Sequence, residues 1–511
     1  MTELWPHQAS ALEELDRAIA DGERDICITS PTGGGKSLIL FTHLQQMSKS
    51  SIVYTDRRML MSQLARDMDG HGITYGIRAA GHEPRLLDDV QLAMVQTEVS
   101  KVLKGDRDIH PSVIGYIDEA HKNSGDTVQS LVALHREASP DFIRVGFTAT
   151  PLGIGHAYDH LIVAGTNSEL RDFGALVPAY HYGPDEPDTK WVGKVTVDSG
   201  ECGLPTAKRM EFAHRVFGSV VEHYEEYNPD QKPTILFAPG VKESLWFAEE
   251  LGYHGIRAAH IDGTNCWLDG AMHKNDEGLR DEIAERHRSG DIKVVCNRFV
   301  LREGINWPWV EHGIFATVFG SLTSYIQAGG RLLRACEGKN ACVVQDHGGN
   351  WHRHGSLNSD REWVLGSDDR IEAGTREMRL RNKTEREPIQ CPKCHAVRMG
   401  GPKCWSCGHE HVTKSRRVLQ RDGRLKHMNG DIYRKRRYLS DSEKIASEWR
   451  GRVKAIKRSK KPTVQSMTFA QLDASFARDH NWQFAPRGIP MMPVEDADWF
   501  RRVVDVDNLT G

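Results

Sequence analysis

The 511-residue chain reads as an α/β protein of two tandem lobes with parallel sheets, then a small four-cysteine module and a basic, mainly helical C-terminal region. Three observations predict this. Short apolar runs alternate with amphipathic stretches in two separate segments, the pattern of parallel strands joined by helices. A glycine-rich turn links an apolar run to a helical one in the first segment. Two C-x-x-C pairs and a basic segment follow the second. A chain this long exceeds what one core supports.

The first lobe is expected over residues 1–181. Asp25–Ser30 reads as a strand, Ser37–Leu44 as a helix, and further strands are expected at Ser51–Tyr54, Val113–Ile117 and Phe142–Phe147. Each ends at a polar cluster, where an open α/β sheet places its ligand sites. Gly, Pro and Asp accumulate between Tyr182 and Pro205, so residues 182–210 read as a linker. The second lobe, 211–366, has candidate strands at Thr234–Ala238, Lys293–Cys296, Gly313–Val318 and Ala341–Gln345. A polar linker (367–390), the cysteine module (391–411) and the basic region (412–511) complete the chain.

The net charge of −3 hides an asymmetry. From Val412 to Lys461 there are 18 Lys/Arg against 5 Asp/Glu, so a basic arm follows an acidic body. Such an arm suits a phosphate backbone, although a solvated helical surface has the same composition. No run of eighteen apolar residues occurs, and the N-terminus lacks the regions of a secretory signal. A cytosolic protein without membrane association is expected. Cys27 and Cys296, each beside apolar residues, read as core positions rather than disulfide partners.

Pro31-Thr-Gly-Gly-Gly-Lys-Ser37 stands between the predicted strand and helix. Thr32, Gly33, Gly34 and Gly35 let backbone N–H groups turn inward around phosphate oxygens, and the helix N-terminus adds favourable partial charge. Lys36 would reach the β- and γ-phosphates of ATP, and the Ser37 hydroxyl would help hold Mg²⁺. The generic pattern places Gly where Ser30 stands.

Asp118-Glu119-Ala120-His121 follows the strand ending at Ile117. Alone it fits a helix N-cap; paired with the upstream loop, it fits Asp118 as the Mg²⁺ carboxylate and Glu119 as the group orienting the attacking water. In the second lobe, Gln327-x-x-x-Arg331-x-x-Arg334 puts two arginines on one helix face. From there they could clamp a γ-phosphate across the lobe interface.

Cys391, Cys394, Cys404 and Cys407 form two knuckles whose spacing suits tetrahedral, structural Zn²⁺. His395, His409 and His411 are alternative ligands, and a redox dithiol pair is the alternative chemistry. Basic clusters at Lys414–Arg417 and Arg434–Arg437, with Trp405 and Tyr438 nearby, suggest a DNA grip through phosphates and stacking.

In this order the motifs resemble the second helicase superfamily, in its DEAH-type branch, over roughly Leu4 to Gly355, which implies two RecA-like lobes. The resemblance makes Gln8, in Leu4-Trp-Pro-His-Gln8, the residue that reads adenine, and accepts Ser30 within its form of the phosphate loop. It assigns coupling of hydrolysis to strand movement to His121, Thr148 and Thr150, and a nucleotide contact to Gly304 within Val300–Pro308. Asn306 stands where the family usually carries Asp. Arg57, Gln96 and Thr97 of the first lobe and Thr264 of the second are implied as nucleic-acid contacts. Gln327 matches the glutamine of the arginine motif.

Within the superfamily the chain is most similar to RadD-like bacterial repair helicases and to phage-borne relatives. The resemblance therefore implies an ATP-dependent DNA helicase or translocase acting on single-stranded or forked DNA. It also implies a bacterial or phage-infected cytosol, with possible replication or repair partners through the C-terminal region. A double-strand DNA translocase, an RNA helicase and an ATP-switched recruitment protein share the same motifs.

Overall fold

A computed structural model of the chain describes residues 4–56, 58–82, 85, 87–185, 193–198, 210–302, 306–365, 389–390, 397–398, 407 and 415–428. In the first lobe, α1 (Pro6–Ala20) precedes β1 (Asp25–Thr29), and α2 (Lys36–Met47) precedes β2 (Ser51–Thr55). Next come α3 (Arg58–Gly70), β3 (Gly76–Arg78), β4 (Val90–Met94), α4 (Val95–Lys101), β5 (Ile114–Ile117), α5 (Asp126–Ala138), β6 (Ile143–Thr148) and β7 (His160–Val163).

The seven strands form a parallel sheet in the order β3-β4-β2-β5-β6-β1-β7. β1, β2 and β5 are almost wholly buried, as expected of strands covered by helices on both faces. One core cluster joins Leu15 of α1, Ile28 of β1, Phe41 of α2 and Phe147 of β6.

The second part begins with α6 (Asn167–Asp172), β8 (Ala179–Gly183), β9 (Gly193–Asp198), β10 (Met210–Phe217), α7 (Val220–Tyr227), β11 (Thr234–Phe237) and α8 (Val241–Tyr253). It continues through β12 (Ala258–Ile261), β13 (Asn265–Leu268), β14 (Ala271–Lys274), α9 (Glu277–Arg288), β15 (Val294–Asn297), β16 (His312–Phe315), α10 (Leu322–Leu333), β17 (Cys342–Asp346) and α11 (Asn350–His354). Four short strands follow: β18 (Ile389–Gln390), β19 (Val397–Arg398), β20 (Leu419–Arg421) and β21 (Lys426–His427). The main sheet runs β14-β13-β12-β15-β11-β16-β17-β8-β21, with parallel pairing from β12 to β8.

The chain changes lobes earlier than its composition suggests. The expected boundary at 181 falls inside β8, which pairs with β17 of the second sheet. Leu170, Ala175, Leu176 and Val177 already lie in the second lobe's core cluster. Backbone bonds from Val177 N to Leu333 O (2.8 Å) and from Ala335 N to Ala175 O (3.1 Å) fasten this segment to the end of α10. The Ala-Tyr-His-Tyr-Gly run of β8 carries no local feature that assigns it to one sheet rather than the other. The expected linker 182–210 also contains β9, an antiparallel partner of β10.

The basic region, expected to be mainly helical, begins as strands in its described part. β20 pairs with β10 and β21 with β8, and Val418 is buried in the second lobe's core. Residues 429–511 lie outside the described residues. Among the described residues no helix is long and apolar enough to cross a membrane.

Candidate nucleotide site between the lobes

The glycine loop leaves the C-terminal end of β1 and enters α2, whose N-cap, Gly35, has φ +73°. That left-handed backbone favours glycine, and a Cβ there would lie 2.2 Å from Gln8 Nε2. At Gly34 a Cβ would lie 2.1 Å from Ser30 Oγ, so the loop closes only without side chains. Ser30 is not among the residues with positive φ, so the generic glycine has no backbone role here. Its N–H continues the ladder to Thr148 O at 3.2 Å, and its carbonyl accepts a bond from Lys36 Nζ at 2.9 Å.

A cavity of about 450 Å³ opens in front of the loop. Its wall brings together Thr32, Gly33, Gly35, Lys36, Ser37, Asp118 and Glu119 of the first lobe with Gln327, Arg331 and Arg334 of the second. Residues about 210 to 300 positions apart in sequence thus share one space. The approach is close: a Cβ on Gly330 of α10 would sit 2.4 Å from Thr32 Cβ.

Charge inside the cavity is unbalanced by burial. Lys36 is held down to about 8 by desolvation, against the pull of Glu119 and Asp118 and with Arg334 and Arg331 lowering it further. Desolvation and then Arg331 hold Arg334 down to about 9. The Asp118 carboxyl is pushed up by burial and by the neighbouring Glu119. Three cations and two carboxylates crowded this way would all be relieved by a polyphosphate carrying a divalent cation. The hydroxyl and carboxylate oxygens of Ser37 and Asp118 are hard donors of the kind Mg²⁺ takes.

Glu119 holds φ +48°, a left-handed conformation uncommon for a residue with a side chain. Its N–H donates to Asp118 Oδ1 at 3.0 Å, and its Oε2 lies 3.4 Å from His121 Nδ1. His121 Nδ1 also lies 2.9 Å from Thr148 Oγ1, which accepts the N–H of Thr150 at 3.0 Å. Arg331 Nε donates to Arg302 O at 2.9 Å. Asn306 lies on the cavity wall, and its Oδ1 accepts a 2.6 Å bond from Arg334.

Gln8, expected to contact adenine, packs directly against the loop. It is buried beneath the loop, with Oε1 accepting from Trp5 N at 3.0 Å and Nε2 donating to Gly34 O at 3.2 Å. Both ends of its amide are occupied within the protein, and the exposed ring of Trp5 lines the cavity instead. Sequence reasoning missed Trp5, Gln63 and Pro308 on this wall, although Trp5 and Pro308 lay within motifs already singled out.

Gln96 and Thr97 open α4 at the C-terminal end of β4, Gln96 being exposed. Thr264 is exposed just beyond β12, with its N–H and hydroxyl donating to Asp262 Oδ1 at 2.6 and 2.9 Å. Arg57 and Gly304 lie outside the described residues, as do Cys391, Cys394 and Cys404. Cys407 lies in a turn, and the β18–β19 pair flanks the first knuckle. Among the described residues no His, Cys, Asp and Glu cluster is arranged for a metal ion.

Residues 1–153 match the type III restriction enzyme res subunit family, and residues 219–336 match the helicase conserved C-terminal domain family. Together the two cover more than half of the chain, one for each side of the cavity. The chain belongs to the second helicase superfamily. A 51.5 kDa protein of a Lactococcus phage (isolate 7-9) is 27% identical over 395 residues, spanning 75% of this chain and 77% of that protein. IRC3 of Saccharomyces cerevisiae, named as an ATP-dependent helicase, is 23% identical over 384 residues, which are 67% of this chain and 51% of that protein. The structure of Mycobacterium smegmatis helicase Lhr, solved with ssDNA and AMP-PNP, is 15% identical, with a TM-score of 0.46 over 71% of this chain and 49% of that one.

Proposed function

We propose that the chain is an ATP-dependent DNA helicase or translocase of the DEAH-type branch. The observation that carries this reading is the shared cavity: Lys36, Ser37, Asp118 and Glu119 face Arg331 and Arg334 across the cleft. In this reading the loop amides of 32–37 and Lys36 hold the triphosphate of ATP, and Ser37 and Asp118 hold Mg²⁺. A divalent cation held there would offset negative charge on the triphosphate. Glu119 orients and deprotonates the attacking water, while Arg331 and Arg334 stabilise charge on the transferring phosphoryl group. His121, Thr148 and Thr150 link the hydrolytic end to movement of the lobes. Gln8 shapes the loop through Gly34.

DNA is assigned to the open ends of the two sheets, where Gln96, Thr97 and Thr264 follow strand C-termini, together with Arg57. The surplus of basic residues over 412–461 supports a further grip by the C-terminal region, which is also where replication or repair proteins would dock. Residues 391–411 form a zinc module in this reading, with Cys391, Cys394, Cys404 and Cys407 as ligands. The proposed role is in replication, recombination or repair, and the proposed setting is a bacterial or phage-infected cytosol; one relative comes from a Lactococcus phage.

ATPase activity measured with single-stranded, forked and duplex DNA and with RNA tests the reading, alongside strand displacement and zinc content. Stimulation by single-stranded or forked DNA is expected, with about one zinc per chain. Turnover insensitive to every nucleic acid would overturn it. Stimulation by duplex without strand displacement would make the motor a double-strand translocase.

A further inference from the structure

Behind the second lobe's wall of the cavity lies a buried charge that the proposed chemistry does not use. Lys339 follows α10 in the turn before β17, where Gly338 at φ +80° reverses the chain and Lys339 N–H donates to Cys336 O at 3.0 Å. The residue is only 6% exposed. Its Nζ lies among four main-chain carbonyls: Pro308 O at 3.0 Å, Val310 O at 2.6 Å, Leu332 O at 2.7 Å and Arg334 O at 2.8 Å. An ammonium has three N–H groups, so the four oxygens saturate it, and one N–H is shared.

These oxygens come from two segments that both reach the nucleotide cavity. Leu332 and Arg334 close α10, whose terminal carbonyls have no partners within the helix. Lys339 takes two of them and Val177 N–H takes Leu333 O between them. A cation at a helix C-terminus is also favoured by the macrodipole. Pro308 and Asn306 belong to the other segment and line the cavity, where Asn306 Oδ1 meets Arg334. At Arg334 the backbone leaves the helix (φ −60°, ψ 132°), so its side chain enters the cavity as its carbonyl turns back to Lys339.

Taking an ammonium out of water is unfavourable, and here dipoles rather than a hydrogen-bonded carboxylate offset it. Burial holds the amine down to about 8. An apolar side chain would fill the space without that cost, but could not hold four carbonyls at one point. We infer that Lys339 is a positioning residue: it ties the end of α10 to the 306–310 segment and so sets Arg334 against the phosphate loop.

The inference rests on the hydrolytic reading of the cavity. Its test is the ATPase of the full chain carrying Lys339→Met or Lys339→Gln, each alone and combined with Arg334→Ala. Misplacing a reacting group by about 1 Å can cost on the order of 10²-fold in rate. Lys339→Met is therefore expected to lower kcat by about 10- to 100-fold while ATP KM stays within about threefold. In the Arg334→Ala background the same substitution should change kcat by less than about twofold, because the group it positions is gone. Equal losses in both backgrounds would overturn the inference, as would wild-type kcat in the single variant. Should the Met variant lose cooperative melting, the Gln variant, which keeps two N–H donors, decides by the same comparison. A wild-type chain without ATPase would sink the hydrolytic reading itself, whereas an active wild type with an equally active Lys339→Met sinks this inference alone.

Discussion

His121 Nε2 lies 3.1 Å from Gln327 Nε2, joining the loop after β5 in the first lobe to α10 in the second. The other ring nitrogen meets Thr148, so one imidazole connects the end of β6 to the opposing lobe. With the amide donating to Nε2, the Nδ1–H donates to Thr148 Oγ1, and the relay needs a neutral ring. In the proposed mechanism these two side chains link hydrolysis beside Glu119 to displacement of α10. Gln327→Ala is expected to keep ATP binding within a few-fold and to lose about tenfold or more of the nucleic-acid-stimulated rate. Rates measured with and without single-stranded DNA check this; undiminished stimulation would remove the relay.

In the proposed mechanism Glu119 serves the chemistry and Lys36 the binding of the triphosphate. Glu119→Gln keeps the size and hydrogen-bonding reach of the side chain but removes the base, so turnover should fall by about 10²-fold or more while ATP still binds. Lys36→Ala removes a cation from a cavity that needs it and should abolish turnover by weakening phosphate contacts. Equilibrium binding of a fluorescent ATP analogue, set beside single-turnover hydrolysis, distinguishes the two. Normal hydrolysis by Glu119→Gln would reassign the water-orienting role.

Arg334 combines burial, a neighbouring guanidinium and a bond to Asn306, so its charge is poised for an anion. Arg334→Ala should lower kcat by about 10³-fold, with ADP affinity little changed, if it acts on the transferring phosphoryl group. Arg334→Lys should recover little, because a single ammonium cannot meet Asn306 and a phosphate oxygen with the same planar geometry. Recovery to within tenfold of wild type would mean that charge alone matters there.

Much of this site was legible because its groups sit at strand ends within short local patterns: the glycine loop after β1, the acidic pair after β5, and the arginines along α10. Local periodicity carried the strands as well, within a residue or two for β1, β2 and β5. What escaped depends on partners distant in sequence. β8 has no signal that assigns it to β17 rather than β7, and two-residue β21 has no periodicity at all. Gln8 sits in a recognisable motif, yet only the fold shows that Trp5 and Gly34 use both ends of its amide. Lys339 looks like a surface lysine in Glu-Gly-Lys-Asn, and its burial follows from four carbonyls converging from two segments.

Asp262 offers a pH test of the turn that presents Thr264. Against burial, which raises it, bonds from His260, Thr264 and Asn265 hold its carboxyl down to about 2, below the usual aspartate range. A depressed acid contributes stability above its unfolded value and loses it as pH falls toward the folded one. The window is therefore roughly pH 4 to 2, and the contribution is on the order of 2 kcal/mol. Urea unfolding of wild type and Asp262→Ala should show that difference at pH 7, shrinking as pH falls through the window. A gap independent of pH would mean that packing, not charge, stabilises the turn.

Gly330 tests the closed cleft directly. Thr32 opposes it with a β-branched side chain that has little rotamer freedom, so a Cβ at 2.4 Å cannot be absorbed by rotation. Gly330→Ala should therefore hold α10 away from the phosphate loop and depress kcat by about tenfold or more. The helix itself would gain, since Ala is favoured over Gly in a helix interior by about 1 kcal/mol, so melting should not fall. Stability and turnover moving in opposite directions identify an interface effect rather than misfolding. Thr32→Gly in the same chain removes the opposing Cβ and should restore part of the rate. Full activity in Gly330→Ala would show that turnover does not require the lobes to approach this closely.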